Sequence, residues 1–264
     1  MAGKEQLAEF RWKVRRSEFT GHTSGLFPEF AQANIIILPQ SEARDFAEFC
    51  AKNPTPCPVI HQGEPGDYRL SALGELDVRT DIPAYYVYRG GELSEERTDI
   101  SELWGNDFVC FCLGCSFTFD TALIQGGIEL RHVNEGRNVA MYKTNIPLAP
   151  AGAFQGKMVV SMRWIDGDQV ELARDISARY PDFHGAPVHI GRPEEIGINA
   201  IERPDYGDYV TPKPGQISVF WGCGVTPQNC LAAARLPLAI THKPGSMLLT
   251  DLTQSEILKK TQNQ

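Results

Sequence analysis

The stretch "DFVCFCLGCSFTFDTALIQGG", residues 107–127, decides how the chain is read. "FVCFCLG" is a near-continuous apolar run, the pattern of a strand buried on both faces. Gly114 and Cys115 then form a turn. Ser116 is a suitable helix N-cap, and Gly126-Gly127 ends the helix that follows. The same unit recurs in "QISVFWGCGVTPQNCLAAARL", residues 216–236. There a strand runs into the Gly222-Cys223-Gly224 turn, with Thr226 expected as N-cap and Pro227 at the first helical position. If both strands share a sheet, Cys115 and Cys223 meet at its C-terminal edge, where open α/β sheets bind ligands.

The elements around these units extend the pattern. "QANIIILP" (32–39) reads as a buried strand, and "SEARDFAEFCAKNP" (41–54) as an amphipathic helix capped by Ser41. "CPVI" and "AYYVYRGGE" are further strands, and residues 61–79 are rich in loop formers. The middle alternates differently. "NVAMYKTNI", "GKMVVSMRW", "DQVELARDISARY" and "APVHIG" read as β-β-α-β, a natural two-layer unit. "LAITH" and "SMLLTDL" are short strands, and a last helix begins near Thr253. The expected architecture is α/β: a three-layer α/β/α unit with a mixed sheet (1–130 and 201–264) plus a smaller two-layer α/β subdomain (131–200).

Composition narrows the function. Across 264 residues, 42% are hydrophobic and 22% charged, the balance of a soluble globular chain. Net charge is −8 with no long basic block, so no nucleic-acid partner is expected. "RWKVRR" (11–16) falls on a helix whose apolar face is Leu7, Phe10 and Val14, leaving the basic residues to solvent. No segment suits a bilayer span, and the first residues lack the apolar core of a signal peptide. A cytoplasmic protein without a membrane partner is expected, and a homo-oligomer is compatible with the chain. Its seven cysteines are expected mostly as free thiols.

Several residues can carry chemistry. Cys115 and Cys223 each precede a helix start, where unpaired N–H groups favour a thiolate. Two thiols facing one carbon can relay a proton between its faces, as in cofactor-free racemases; plain packing is the competing reading. Cys50, Cys110, Cys112 and Cys230 lie on apolar faces and read as core. Cys112 and Cys115 form a lone C-x-x-C inside a strand and its turn, a poor zinc site, so no metal is expected. His184 and His189 flank a Gly-Ala-Pro turn and suit a general base or acid, while their spacing does not suit paired zinc ligation. Asp81 is a candidate acid. His22, Thr23, Ser116 and Thr226 are candidate ligand contacts in hydroxyl- and glycine-rich turns. Arg79, Arg131 and Arg163 can pair with carboxylates, which fits a small acidic substrate. Walker A, Rossmann G-x-G-x-x-G and G-x-S-x-G motifs are absent.

Taken together, "GHTSGLFPEFAQANIIILP", "VRTDIPAYYVYRGGE", "CLGCSFTFDTALIQGGIELRH", "MYKTNIPLAPAGAFQGKMVVSMR", "HGAPVHIG", "FWGCGVTPQ" and "ITHKPGSMLLTDL" closely resemble the hydro-lyase, or D-glutamate cyclase, family. The resemblance runs from about Arg16 to Asp251. It implies a two-part α/β protein and the conversion of D-glutamate to 5-oxo-D-proline with loss of water, needing no cofactor. It also implies alanine at Gly222 in most relatives. Such chemistry needs a base for the α-amine, an acid for the departing oxygen and donors for a tetrahedral oxyanion. His184 or His189 suits the base, and Cys223 or Asp81 the acid. Helix-start N–H groups suit the oxyanion, and Arg131 or Arg79 the α-carboxylate. A two-cysteine racemase and a non-catalytic anion-binding module remain alternatives.

Overall fold

A computed structural model describes residues 2–261. Helix α1 (Ala2–Arg15) buries Leu7 and Val14, as its apolar stripe requires. Strand β1 (Phe30–Pro39) is buried almost throughout and is followed by α2 (Gln40–Lys52) and β2 (Val59–Gln62). β3 (Tyr85–Arg89) and β4 (Glu92–Arg97) form a hairpin. The polar "ELSEER" of β4 has little strand character of its own. It pairs because Gly90 and Gly91, both at positive φ, make the tight turn that returns the chain along β3.

β5 (Phe108–Gly114) runs into α3 (Phe117–Gln125) and the single-turn α4 (Arg131–Asn134). β6 (Ala140–Pro147), β7 (Lys157–Asp166), α5 (Val170–Ser177) and the two-residue β8 (His189–Ile190) form the middle. β9 (Gln216–Gly222), α6 (Thr226–Ala234), β10 (Ala239–His242), β11 (Leu248–Thr253) and α7 (Gln254–Thr261) complete the order.

Two sheets result. One has seven strands in the order β2-β5-β1-β10-β3-β4, with β11 also on β1; the other has the order β6-β7-β9-β8. β1 is the spine of the first. Ala33, Ile35 and Ile37 face one core with α3 and α7, and Ile36 and Leu38 face a second core with α2. Helices therefore cover both faces of this sheet, the α/β layering read from the sequence.

Two expectations change. Every strand pairing among the described residues is antiparallel, not mixed. The reason lies in the connections. The helix after β5 leads to β6 in the other sheet, and the helix after β9 leads back to β10 in the first. These helices join sheets; they do not cross between parallel neighbours. Likewise β9, placed with the larger unit on sequence, pairs with β7 and β8 in the smaller sheet.

β10 and β11 lie end to end along one edge of β1, with Thr241 opposite Ile36 and Leu248 opposite Ala33. The chain between them, 243–247, loops away from the sheet. Thr23 ties that loop down: its N–H donates to the Gly245 carbonyl (2.8 Å) and its hydroxyl accepts the Met247 N–H (3.1 Å).

Candidate active site

The two Gly-Cys turns meet, although they belong to different sheets. Cys115 follows β5 and Cys223 follows β9. Both thiols join one apolar cluster with Phe117, Val139, Met141, Val159, Val225 and Met247. Asn34 links the turns. Its Nδ2 donates to the Gly114 carbonyl (2.7 Å), and its amide fills the space a Cβ on Gly224 would occupy, 2.1 Å away. Gly114 is equally constrained, since a Cβ there would lie 1.8 Å from the Asp182 carbonyl oxygen. The turns carry glycine because other backbone and amide groups occupy the side-chain space.

Both thiols are buried, with 5% and 7% exposure for Cys115 and Cys223. Burial raises each thiol's pKa, and the N–H groups of Phe117 and Val225 pull the other way. Burial wins. Cys115 rises well above the ordinary thiol range, and Cys223 is pushed up to about 11. At neutral pH both are protonated: proton donors, not resting thiolates. The C-x-x-C is not a unit, since Cys112 faces the β1 core and Cys115 faces this cluster. All seven cysteines are free and buried.

Arg163 is fixed beside the cluster. It projects from the middle of β7 toward α3, with its side chain 1% exposed. Its Nε and Nη2 form a fork on Asp120 at 2.8 and 3.0 Å. Nη2 also donates to Ser116 Oγ (2.9 Å), and Nη1 to Ser161 Oγ (2.8 Å). Ser116 and Asp120 are one helical turn apart, so a single face of α3 holds the guanidinium. Phe119 and Trp221 present their rings to it at 5.1 and 5.3 Å. Burial alone would raise the Asp120 pKa, but Arg163 and His132 outweigh it and hold it below the usual carboxylate range. His132 Nε2 stands 3.4 Å from Asp120 Oδ2, off hydrogen-bond alignment. Arg163 is therefore committed to protein partners and offers no open fork to a carboxylate. It acts as a fixed positive charge that favours the thiolate form of both cysteines.

His184 is the third component. It sits at φ +80° after a short 3-10 turn, 2% exposed. Nδ1 lies 2.8 Å from the Thr55 carbonyl. A carbonyl only accepts, so Nδ1 carries the proton and Nε2 keeps its lone pair. Nε2 is buried and makes no aligned hydrogen bond, although the Gly114 backbone lies close enough to the ring to pull against the effect of burial. Burial, against the pull of the Thr55 carbonyl, lowers the imidazole pKa to about 4. The ring is bracketed by both turns. Asp182, two residues before it, abuts Gly114, and the Thr55 carbonyl lies 3.0 Å from where a Gly222 Cβ would sit.

The remaining candidates lie outside this arrangement. Asp81 is buried against Arg15 (2.5 and 2.9 Å) and the Asp77 N–H, a structural ion pair. Arg79 is bound to Asp77 and stacks on Tyr68. Arg131 is held by Glu135 and the Thr211 carbonyl. His189 Nε2 bonds the nearby Arg192 carbonyl at 2.8 Å. Thr226 is not an N-cap; Val225 takes that position, and the Thr226 hydroxyl is tied to the backbone of Val159. Ser116 does occupy the N-cap position of α3, but its hydroxyl serves Arg163.

A cavity of about 460 Å³ opens beside the cluster, lined by His22, Asn138, Tyr206, Asp208 and Lys243 among others. Tyr206 belongs to both regions: it lines the cavity and packs against the cysteine cluster, its hydroxyl donating to Asn229 Oδ1 (2.9 Å). Asn34, Asp120, Thr55 and Tyr206 escaped sequence reasoning. Two left a trace: an asparagine inside the apolar run "ANIIIL", and an aspartate four residues beyond Ser116 in an otherwise apolar helix start.

The fold and site define an α/β protein of two joined sheets around a buried cysteine-histidine-arginine centre. The D-glutamate cyclase family matches residues 109–251, which span both cysteine turns. A Paraburkholderia phymatum protein named "Putative hydro-lyase" is 54% identical over 94% of this chain and 97% of its own length. A protein of the same name from Jannaschia sp. is 52% identical over 94% of this chain and 93% of its own. The chain belongs to the D-glutamate cyclase family, and relatives that carry the name "Putative hydro-lyase" match nearly its whole length. A nitrogen repressor-like protein of Methanococcus jannaschii aligns over 85% of this chain and 88% of that one, at TM-score 0.38 and 9% identity. Likeness at that level carries no argument.

Proposed function

We propose that this protein is a hydro-lyase that acts on a small carboxylate such as D-glutamate without an external cofactor. The observation that carries the reading is that two protonated thiols share one cluster beside a buried arginine, with the His184 imidazole packed against the Gly114 backbone that leads into one of the turns. In the cyclisation of D-glutamate, His184 Nε2 takes a proton from the α-ammonium. The freed amine attacks the side-chain carboxyl carbon, and a C–N bond forms. A thiol, Cys223 or Cys115, gives one proton to the departing oxygen, the ring nitrogen gives up its second proton to the same oxygen, and the C–O bond breaks to release water. The proton taken by His184 returns to the thiolate. The products are 5-oxo-D-proline and water. The substrate enters from the cavity in front of Tyr206, whose ring must move aside.

The purified protein is incubated with D-glutamate and followed by mass spectrometry for loss of water. Product formation that disappears in Cys223→Ser and His184→Gln supports the reading. No turnover with any acidic amino acid or hydroxy acid sinks it. The mirrored placement of two thiols favours a second reading, a two-cysteine racemase or epimerase. That reading predicts solvent deuterium at the α-carbon with no water lost, abolished in Cys115→Ala and in Cys223→Ala alike. Full exchange in Cys223→Ala rules it out.

A further inference from the structure

We propose that the cavity in front of Tyr206 is a binding site for the primary ammonium group of a small amino acid, with His22, Asn138 and Asp208 accepting its three N–H bonds. The inference rests on the substrate reading above only in taking this cavity as the way to the cysteines: the ammonium is held here on entry and leaves these acceptors before His184 takes its proton. The three acceptors are observed independently of any reaction.

Asn138 is 8% exposed. Its Nδ2 donates to the Pro244 carbonyl (3.4 Å), which fixes the amide orientation, and the residue lines the cavity. Oδ1 is buried and has no partner. The Asn138 N–H donates to Asp208 Oδ2 (3.0 Å), and the Asp208 N–H returns a bond to the Asn138 carbonyl (3.1 Å). The Asp208 carboxylate is thus locked beside the orphan amide oxygen. His22 Nε2 stands 3.3 Å from the Gly136 carbonyl. That carbonyl only accepts, so Nε2 carries the proton and Nδ1 of the neutral ring presents a lone pair. Nδ1 too is buried without a partner.

The residues that carry an orphan amide oxygen, an orphan imidazole nitrogen and a fixed carboxylate therefore line one cavity. Buried acceptors are ordinarily satisfied, and two orphan atoms beside an exposed carboxylate call for a donor-rich ligand. A primary ammonium has three N–H bonds and a positive charge to match the carboxylate. Lys243, on the same cavity, is paired with Glu96 (2.7 Å) in a half-exposed contact and is available to a ligand carboxylate. The cavity is acceptor-rich around Asn138 and carries a cation at Lys243, the polarity of an amino-acid zwitterion. A deaminated acid matches only the Lys243 side.

Calorimetric titration of the full chain carrying Cys223→Ser, which removes turnover, tests this. The probes are D- and L-glutamate, aspartate, alanine and serine, each paired with its deaminated acid (glutarate, succinate, propionate, 3-hydroxypropionate), with 5-oxo-D-proline as the lactam control. At least one amino acid should bind ten-fold or more tightly than its deaminated partner and than the lactam. Asp208→Asn and His22→Phe should each weaken that amino acid ten-fold or more and leave the deaminated acid unchanged. His22 is only partly buried, so its variant remains informative if Asp208→Asn misfolds. Equal binding of amino acid and deaminated acid overturns the proposal, as does no binding of any amino acid at 10 mM or competition by millimolar Mg²⁺. If ammonium discrimination is present and no turnover is found, the hydro-lyase reading alone falls. If D-glutamate turns over with a KM unchanged by both variants, the ammonium site alone falls.

Discussion

Replacing Arg163 by Met tests whether the buried charge cluster holds the two sheets together. Arg163 belongs to β7 and Asp120 to α3, which follows β5 of the other sheet, and both side chains are at most 6% exposed. Met fills similar volume but leaves the Asp120 carboxylate with only His132 at 3.4 Å. It also strips the Ser116 and Ser161 hydroxyls of their donor. Removing one partner of a buried pair costs about 3–5 kcal/mol, because an uncompensated charge is left behind. For a chain of this length that lowers Tm by roughly 5–10 °C. Asp120→Leu combined with Arg163→Met removes the stranded charge and should regain ~1–4 kcal/mol. The native Asp120 pKa lies below its unfolded value. Its stabilising contribution is therefore present above about pH 4 and is lost as pH falls further, so the gap between wild type and Arg163→Met narrows toward pH 3. Urea and thermal denaturation from pH 7 to pH 3 measure both effects. A single variant within ~1 kcal/mol of wild type at pH 7 would refute the argument.

Other outcomes follow from the same geometry. With Cys223 buried and its pKa near 11, iodoacetamide at pH 7 should label it at least ~10-fold more slowly than a free cysteine; labelling at the free-thiol rate, read by peptide mass spectrometry, contradicts the protonated site. Burial holds His184 and His242 near pKa 4, so the unfolded chain binds protons first as pH falls. Their contribution is complete above about pH 6.5 and declines toward pH 4, by ~3 kcal/mol each, and urea midpoints that stay flat between pH 7 and pH 4.5 would exclude it. Gly114→Ala forces a Cβ against the Asp182 backbone and should cost more than ~2 kcal/mol, while Gly222→Ala meets Thr55 at 3.0 Å and should stay within ~1 kcal/mol of wild type. Comparing their thermal midpoints decides this, and a reversed order would show that the turns are not fixed by these contacts.

The elements were legible because their periodicity is strong. The run of apolar residues in β1 and β5 reads as doubly buried strands, and both are buried on both faces. Which strands pair was not legible. A strand-turn-helix unit reads as half of a parallel crossover, yet α3 and α6 carry the chain from one sheet to the other. Nothing local in "CLGCSFTF" distinguishes the two destinations. The cysteines were found because glycine turns before helices restrict what can sit there. Asp81 and Arg79 were misplaced because an ionisable residue in a loop reads the same whether it faces a ligand or another side chain. Asn34 and Asp120 went unused as site residues because their partners, Gly224 and Arg163, lie far away in sequence.

The site's resting charges suggest how a ligand would change it. Arg163 is offset by Asp120, both thiols hold their protons and His184 is bare. Arg163 favours the thiolate and disfavours imidazolium. A carboxylate entering beside the cluster carries the opposite sign. It raises the proton affinity of His184 and makes the thiols hold their protons more firmly. Under the proposed reading, substrate binding itself converts a poor base into a better one and keeps the acid loaded until the bond to oxygen breaks. The pH profiles should then separate: the acidic limb of kcat/KM should follow the free enzyme's His184, near pH 4, and that of kcat should lie higher. Coincident limbs would mean that the carboxylate does not bind within reach of the imidazole, and would move the base away from His184.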